Sequence, residues 1–347
     1  KTFGQLQLVS ERSPDASIKF DLYNDFGIKV RSGEYKADLP KEIIVIGFTD
    51  STGSIDVLDS RNFSVKRSTD LGDIRIFNGI ANKDNIFVHD RTNDREIKLN
   101  RDNFSITQTT FGSFGSGTTN FNTVVQHGLD DDNLWLADIS NQRIKKHSIS
   151  DLSFRGQYGT LGSGATSLHQ PHGISVSEEG VKVANEGNYN LLFLNKSTFG
   201  FISKTDVDYN TSGESSLAED EQYLYLGYNK LSNEFVYFQD VILEKRDRNN
   251  GELINRIKIL PKNIVENSTY TLNGDIALMG RYIYIVFANN EVPSATTRYY
   301  LQKRLKNNFE LVNEYISPKE FYTVMGDAKA YIPQLKNEPA DLLTRGK

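Results

Sequence analysis

The chain of 347 residues contains no cysteine, one tryptophan and two methionines. Without cysteine the fold has no disulfide, no thiol nucleophile and no thiolate metal ligand. The longest apolar run, residues 43–48, is too short to cross a bilayer as a helix, so no membrane span is expected. The formal net charge is −5, which lacks the basic excess that usually marks a nucleic-acid-binding surface. Nucleic acid is therefore not an expected partner.

No signal-peptide pattern is found at the start of the sequence. Lys1 is not an initiator methionine, which indicates a processed, trimmed or renumbered chain. The composition, 37% apolar and 24% charged, is typical of a soluble globular protein. Secreted, periplasmic, cell-surface and virion-associated settings are all compatible with it, and the sequence leaves them open.

A glycine-rich stretch occurs twice in the sequence. FGSFGSGTTNF (111–121) returns as YGTLGSGATSL (158–168), and the glycines match at a constant offset of 47 residues. Such glycines could crowd backbone N–H groups around a phosphate, but a phosphate loop also requires a following helix and, in the P-loop, a Lys-Ser/Thr pair. Neither is present. A repeat of this length is typical of propellers and solenoids, so the stretch is predicted to connect one unit to the next.

Two shorter signals extend the repeat along the chain. Apolar five-residue strands begin at residues 43, 86, 134, 181, 223 and 282, and a hairpin with a polar turn follows each strand. Several of these strands are apolar on both faces, as expected where sheets stack on both sides. The sequence predicts an all-β fold with a single β-propeller of four-stranded antiparallel blades, six in number, with seven as the alternative.

This repeat pattern also predicts the organisation of the whole chain. Residues 1–40 form an N-terminal segment that supplies a closing strand, part of a seventh blade or an attachment arm. Residues 41–316 form the propeller. Residues 317–347 form a C-terminal segment that packs on the propeller or closes it, because propellers often combine strands from both termini in one blade.

The central third of the chain resembles the NHL-repeat β-propellers. Residues 111–147 give FGSFGSG…F…HGL…LWLADISNQRIKKH, and residues 158–194 give YGTLGSG…L…PHGI…VKVANEGNYNLLFL. The resemblance covers about a quarter of the chain in these two units, as repeat proteins require only local similarity between units. It implies the propeller fold. It also implies two functional alternatives, because some NHL-like propellers are lyases with a histidine-bound metal and others bind RNA.

Three residues share one place in the repeat, just before the glycine that opens the innermost strand. They are Asn78 (FNGI), His127 (QHGL) and His172 (PHGI). Innermost strands line the central channel, so these side chains are candidates for ligand binding at its mouth. By the family resemblance His127 and His172 could be zinc ligands. The competing interpretation is that they form hydrogen bonds with neighbouring loops.

Other polar and aromatic residues are assigned from their repeat position. Asp130 and its two neighbouring aspartates offer carboxylates for calcium, but consecutive residues chelate poorly and a turn is favoured. Trp135 is expected in the blade core. The aromatic residues of a late insertion, Phe235, Tyr237 and Phe238, are rim candidates for binding a partner. Four basic hairpin residues are expected on the solvated outer edge of the blades: Lys145, Lys146, Arg246 and Arg248.

Two functions from different classes follow. The first is a non-enzymatic binding or assembly module without a cofactor, which recognises a protein or glycan through its rim loops and channel mouth. The alternative is a channel-sited, metal-assisted lyase or hydrolase that uses His127 and His172. The first is preferred because repeat position brings together no Ser/His/Asp set and no pair of carboxylates.

Overall fold

The structure, a computed structural model, describes most of the chain. It describes residues 7–12, 17–23, 29–36, 42–49, 52–110, 112–208, 215–231, 239–264, 268–291, 297–317 and 320–325. Two short 3₁₀ helices, Ile139–Asn141 and Glu186–Asn188, interrupt strand structure. None of the helical segments in these ranges has the length and apolar character needed to cross a bilayer.

The rest of the regular structure in these ranges is β-strand. In chain order the strands are β1 (Gln7–Arg12), β2 (Ser17–Tyr23), β3 (Lys29–Lys36), β4 (Glu42–Thr49), β5 (Thr52–Asp59), β6 (Val65–Asp70), β7 (Ile76–Ala81), β8 (Asn85–Asp90), β9 (Arg95–Asn100), β10 (Ile106–Thr109), β11 (Val124–Leu129), β12 (Asn133–Asp138), β13 (Arg143–Ser148), β14 (Phe154–Tyr158), β15 (Pro171–Val176), β16 (Val181–Asn185), β17 (Asn190–Leu194), β18 (Phe201–Asp206), β19 (Ser215–Glu219), β20 (Tyr223–Leu231), β21 (Gln239–Asp247), β22 (Leu253–Ile259), β23 (Ser268–Met279), β24 (Tyr282–Glu291), β25 (Thr297–Leu305), β26 (Leu311–Ser317) and β27 (Glu320–Met325).

Six of the described sheets have four antiparallel strands each. Blade 1 has the order β27-β4-β5-β6, blade 2 β7 to β10, blade 3 β11 to β14, blade 4 β15 to β18, blade 5 β19 to β22 and blade 6 β23 to β26. The first strand of each blade contacts the first strand of the next, and the contact between β27 and β7 completes the ring. The protein is therefore a six-bladed β-propeller, which confirms the predicted fold and the six blades.

The two ends of the chain have different positions in this topology. β27, from the C-terminal segment, pairs with β4 and is the innermost strand of blade 1. β1, β2 and β3 form a separate three-stranded antiparallel sheet. The ring thus combines an early and a late segment of the chain in one blade, and β27 covers the edge of β4 that would otherwise be open.

Hydrophobic clusters between neighbouring blades hold the ring together. The described residues contain one such cluster for each of the six blade interfaces. Alternate residues of one strand supply opposite interfaces: on β20, Leu224 and Leu226 pack towards blade 4, and Tyr225 packs towards blade 6. Tyr225 and Ile283 are 1% and 0% exposed. Because the second strands are covered on both faces, most of their residues are apolar on both faces, as predicted, whereas the third strands also carry buried polar side chains.

Antiparallel pairing decides which connections share a face of the propeller. The loop from the outer strand of one blade to the inner strand of the next lies at the same end as the turn between the second and third strands. We call this end the crossing-loop face. The two glycine-rich stretches connect β10 to β11 and β14 to β15, so their predicted role as connections between blades is confirmed.

Candidate functional site

The three candidates for the channel mouth lie on the innermost strands, at equivalent places. Asn78 is on β7, His127 on β11 and His172 on β15. Each strand has a break in its pairing register near this point, and such bulges re-aim side chains. The structure brings two of the three together, because Asn78 Oδ1 lies 3.0 Å from His127 Nδ1. His172 Nε2 lies instead 3.7 Å from Glu186 Oε2.

His127 belongs to a buried polar network that extends away from the channel into blade 2. Its Nε2 lies 3.0 Å from Glu96 Oε2, and the other carboxylate oxygen of Glu96 lies 2.7 Å from His89 Nδ1. Glu96 and His89 have no exposed surface, and His127 is 3% exposed. The network therefore joins β8 and β9 of blade 2 to the inner strand of blade 3. Sequence analysis missed Glu96 and His89.

Comparison of the six blades supplies the signal that could have found this pair. His89 on β8 is the cross-strand partner of Glu96 on β9. Glu96 lies four residues before Asn100, the residue that begins the hairpin turn between the third and fourth strands. In the other blades the equivalent cross-strand pair consists of apolar residues or glycine: Ile46–Ile55, Ala137–Ile144, Ala184–Leu191, Gly227–Leu243 and Val286–Leu301. A charged pair at a position that is otherwise apolar distinguishes blade 2.

Electrostatics make this pair an ion pair. Burial opposes the protonation of His89, but the carboxylates of Asp94 and Glu96 outweigh it and raise the pKa of His89 to about 9. Burial also opposes the ionisation of Glu96, yet His127 and His89 hold the pKa of that carboxyl well below its usual range. In contrast, burial lowers the pKa of His172 to about 4, so this imidazole is neutral near pH 7.

His127, one of the two residues proposed for a zinc site, is already engaged with other protein groups. Both ring nitrogens of His127 lie within hydrogen-bond distance of protein oxygens, so a metal there would have to displace Asn78 or Glu96. Within the described ranges no group of three or more histidine, aspartate or glutamate side chains has the arrangement of a metal site. We therefore derive no chemical step through a metal.

Asp130, the first of the three aspartates considered for calcium, forms hydrogen bonds within its own turn. Its carboxylate accepts hydrogen bonds from the backbone N–H groups of Asp132 and Asn133, at 2.9 and 2.8 Å, and from Trp135 Nε1 at 2.9 Å. These bonds close the turn between β11 and β12 and fix the buried indole. The structure thus confirms the turn and the position of Trp135 in the blade core.

Side chains also connect the inner strands of blades 3 to 6. Gln126 Oε1 accepts the backbone N–H groups of Ile174 on blade 4, at 2.5 Å, and of Leu217 on blade 5, at 3.2 Å. Its amide donates to Ser216 Oγ at 2.7 Å, and that oxygen accepts the N–H of Ile276 on blade 6 at 2.9 Å. The Gln126 side chain of blade 3 therefore reaches blade 5. The polar groups of Gln126 and Ser216 form hydrogen bonds with each other and with backbone N–H groups of neighbouring inner strands.

Side chains of the blade that each crossing loop enters form hydrogen bonds with the backbone of that loop. In the first loop Arg143 donates to the carbonyl oxygens of Ser116, Gly117 and Asn120 at 2.8 to 3.0 Å. In the second loop Asn188 Nδ2 donates to Gly162 O at 2.9 Å. Carbonyl oxygens of the first loop thus face a cation of the protein, which agrees with a structural connection and not with a phosphate site.

Two of the hairpin cations were assigned wrongly to the solvated edge. Lys145 has no exposed surface, because its Nζ lies 3.9 Å from the centre of the Phe121 ring and donates to Asn120 O. Arg246 is 3% exposed and pairs with the buried carboxylate of Glu244 at 2.6 Å. These long side chains of the third strand find partners in their own blade or in the loop that enters it, where an aromatic ring or a carboxylate replaces water.

Large apolar side chains project from both crossing loops. Phe114 and Leu161 occupy equivalent positions and are 69% and 68% exposed, the highest values among the large apolar residues of the described ranges. Tyr189, in the turn next to the second loop, is 55% exposed. The rim candidates of the late insertion, Phe235, Tyr237 and Phe238, lie outside the described residues.

No protein-family model and no curated protein sequence matches the chain. Among solved structures, it is similar to a protein of unknown function from Bacteroides caccae, with a TM-score of 0.56 and 11% identity, covering 82% of this chain and 98% of that chain. It is also similar to a chain of a nidogen/laminin complex, with a TM-score of 0.55 and 10% identity, covering 82% and 97%. At these identities the similarity shows the β-propeller fold alone.

Proposed function

We propose that the protein is a non-enzymatic binding module, built on a divergent NHL-like propeller, that recognises a protein partner through its crossing-loop face. The observation that carries the proposal is the exposure of Phe114 and Leu161 at equivalent places in two neighbouring repeats. Single exposed apolar side chains are ordinary on protein surfaces, but here two large ones recur at the same place in neighbouring repeats and on the same face, and apolar patches on one face mark interaction sites. Arg143 fixes the first loop in place, so little ordering would oppose binding.

The state of the channel residues supports binding over catalysis. A general acid, base or metal ligand needs a titratable group that can reach a substrate. His127, Glu96 and Gln126 are instead engaged with other protein groups and are at most 3% exposed. The alternative, a metal-assisted lyase or hydrolase that uses His127 and His172, therefore has the weaker support.

The composition of the two crossing loops favours a protein partner over a glycan or a nucleic acid. Residues 112–120 and 159–168 contain no charged side chain, so the phosphates of a nucleic acid would find no cation on them. The two equivalent positions carry one aromatic and one aliphatic residue, Phe114 and Leu161. A sugar platform requires an aromatic ring, whereas protein side chains pack equally well on either residue.

A site-specific crosslinking experiment tests this proposal. Benzoylphenylalanine replaces Phe114 or, as a control, the outer-strand residue Ile254, which is 52% exposed. Irradiation in the cells that make the protein should give a discrete protein adduct from position 114 that is weaker from position 254. A fully buried Phe or Leu side chain is worth about 1.5–3 kcal/mol, so Phe114→Ser/Leu161→Ser should weaken binding of the recovered protein at least about tenfold.

The control variant for this measurement is Val65→Ser/Ile254→Ser, which removes two outer-strand side chains that are 51% and 52% exposed. It should bind the recovered protein as the unmodified chain does. Equal loss in both variants, or equal crosslinking at both positions, contradicts the proposal. Binding to a neutral glycan that depends on Phe114, without any protein adduct, would replace the protein partner by a glycan.

A further inference from the structure

The first crossing loop contains a bridge between two short extended segments. Phe121 N–H donates to Ser113 O at 3.3 Å, and Gly115 N–H donates to Phe121 O at 3.0 Å, which together form a parallel bridge between Phe114 and Phe121. Ser113 and Gly115 both bond to Phe121, and in a parallel bridge the residue between two such partners directs its own N–H and C=O to the opposite side. The backbone groups of Phe114 therefore face away from the bridge.

The second crossing loop repeats this geometry. Leu168 N–H donates to Thr160 O at 3.1 Å, and Gly162 N–H donates to Leu168 O at 3.3 Å. The bridge joins Leu161 to Leu168, again in parallel orientation. Blades 3 and 4 thus present the same hydrogen-bond pattern twice: a short segment whose exposed middle residue lies between two residues that are bonded to the buried anchor residue.

The outer side of each segment is an open strand edge. Among the residues that the structure describes, no hydrogen bond reaches the N–H or C=O of Phe114 or Leu161. Their side chains are exposed beside these backbone groups. An open edge of this kind is the template to which an extended peptide adds, with backbone hydrogen bonds for affinity and side-chain contacts for specificity.

The charge of the two crossing loops indicates what kind of peptide can bind to them. The sequence has no charged residue from 103 to 129 or from 156 to 177, although 24% of the whole chain is charged. Arg143 and Lys145, which donate to carbonyl oxygens of the first loop, are both buried, and Arg143 is paired with Asp138. A charged peptide would therefore lose hydration on the loops without gaining an ion pair from them, whereas an uncharged apolar peptide would lose little. The surface thus complements an uncharged partner.

From these observations we infer that residues 113–115 and 160–162 are two docking edges for an extended, uncharged, apolar peptide segment of a protein partner. The segment adds to each edge through the N–H and C=O of the exposed middle residue and packs apolar side chains on Phe114 and Leu161. This inference rests on the proposed function and specifies how the partner is recognised.

Selection of peptides against the intact chain tests the inference. A phage library of random twelve-residue peptides provides the probes, with Phe114→Ser/Leu161→Ser protein for counter-selection. Peptides that bind the unmodified chain but not this variant should be apolar and uncharged. Their affinity, measured by fluorescence anisotropy, should fall at least about tenfold in the variant and stay unchanged in Val65→Ser/Ile254→Ser, whose changes lie on outer strands.

Backbone methylation of a selected peptide then separates edge pairing from side-chain contact alone. In edge pairing only alternate residues of the peptide point their N–H groups to the edge. N-methylation should therefore reduce affinity about tenfold or more at one residue and leave its two neighbours unaffected.

Three outcomes contradict the inference. They are a library that yields no peptide dependent on Phe114 and Leu161, selected peptides that are charged, and equal effects of methylation at successive residues. The last outcome overturns edge pairing but leaves the proposed protein-binding function intact. Crosslinking at position 114 that equals the control overturns the function itself, so the two failures are distinguishable.

Discussion

The ion pair in blade 2 permits a quantitative test of how the ring is held together. The Asp94 and Glu96 carboxylates overcome the effect of burial and raise the pKa of His89 from 6.5 to about 9. One pKa unit corresponds to about 1.4 kcal/mol, so protonated His89 contributes about 3 kcal/mol to the free energy of unfolding. Breaking buried pairs in other proteins costs about 3–5 kcal/mol, which agrees with this value.

The perturbation is Glu96→Gln, which keeps the size of the side chain and removes its charge. Because the folded-state pKa of His89 lies above its unfolded value, its contribution is complete below pH 6.5 and is lost as the pH rises through about 9. Asp94 remains in the variant and keeps part of the shift, so the variant should be less stable than the unmodified chain by up to about 3 kcal/mol at about pH 6, and by less than about 1 kcal/mol at about pH 9.

Urea unfolding followed by fluorescence measures this difference, because Trp135 is the single tryptophan of the chain and is fully buried. The double variant His89→Ala/Glu96→Ile is the matched control, since it installs the Ala–Ile pair that blade 3 carries at the same position. It removes both charges, so it should be more stable than Glu96→Gln at about pH 6. Equal stability of Glu96→Gln and the unmodified chain at both pH values refutes the reasoning.

Three further predictions concern the channel and the loops. Gln126→Ala removes the acceptor of two buried backbone N–H groups and should lower the free energy of unfolding by about 2–4 kcal/mol in urea titrations; a loss below about 1 kcal/mol contradicts it. Arg143→Ala should speed amide hydrogen exchange in residues 112–120 and leave the second crossing loop unchanged; uniform exchange in both loops argues against this anchoring. Purified protein should contain no stoichiometric zinc or calcium by plasma mass spectrometry. One zinc per chain, lost in His127→Ala/His172→Ala, would restore the metal hypothesis.

Much of the architecture was predictable because it depends on local patterns. Strands covered on both faces are apolar on both faces, and polar hairpin turns separate them, so the period of the repeat predicts blades. The same period placed Asn78, His127 and His172 on innermost strands, where the structure has them. It also identified the glycine-rich stretches as connections between blades.

The environment of single side chains was less predictable. Lys145 and Arg246 occupy hairpin strands that usually carry solvated charges, yet both are buried. A cation in such a strand can point to water or turn towards a protein partner, and the choice depends on whether a ring or a carboxylate lies within reach. Phe121 supplies that partner for Lys145 and Glu244 supplies it for Arg246.

The sequence by itself determined the repeating unit, a ring of six or seven blades and the residues that lie on the innermost strands, because most blades are built from strands that are neighbours in the chain. Only the tertiary structure decided that β27 completes blade 1, and that Glu96 meets His127, 31 residues away, while His127 meets Asn78, 49 residues away. Such contacts form between units, where the period of the repeat fixes which strands face each other. It does not fix which polar atoms lie within hydrogen-bond distance once the blades have packed.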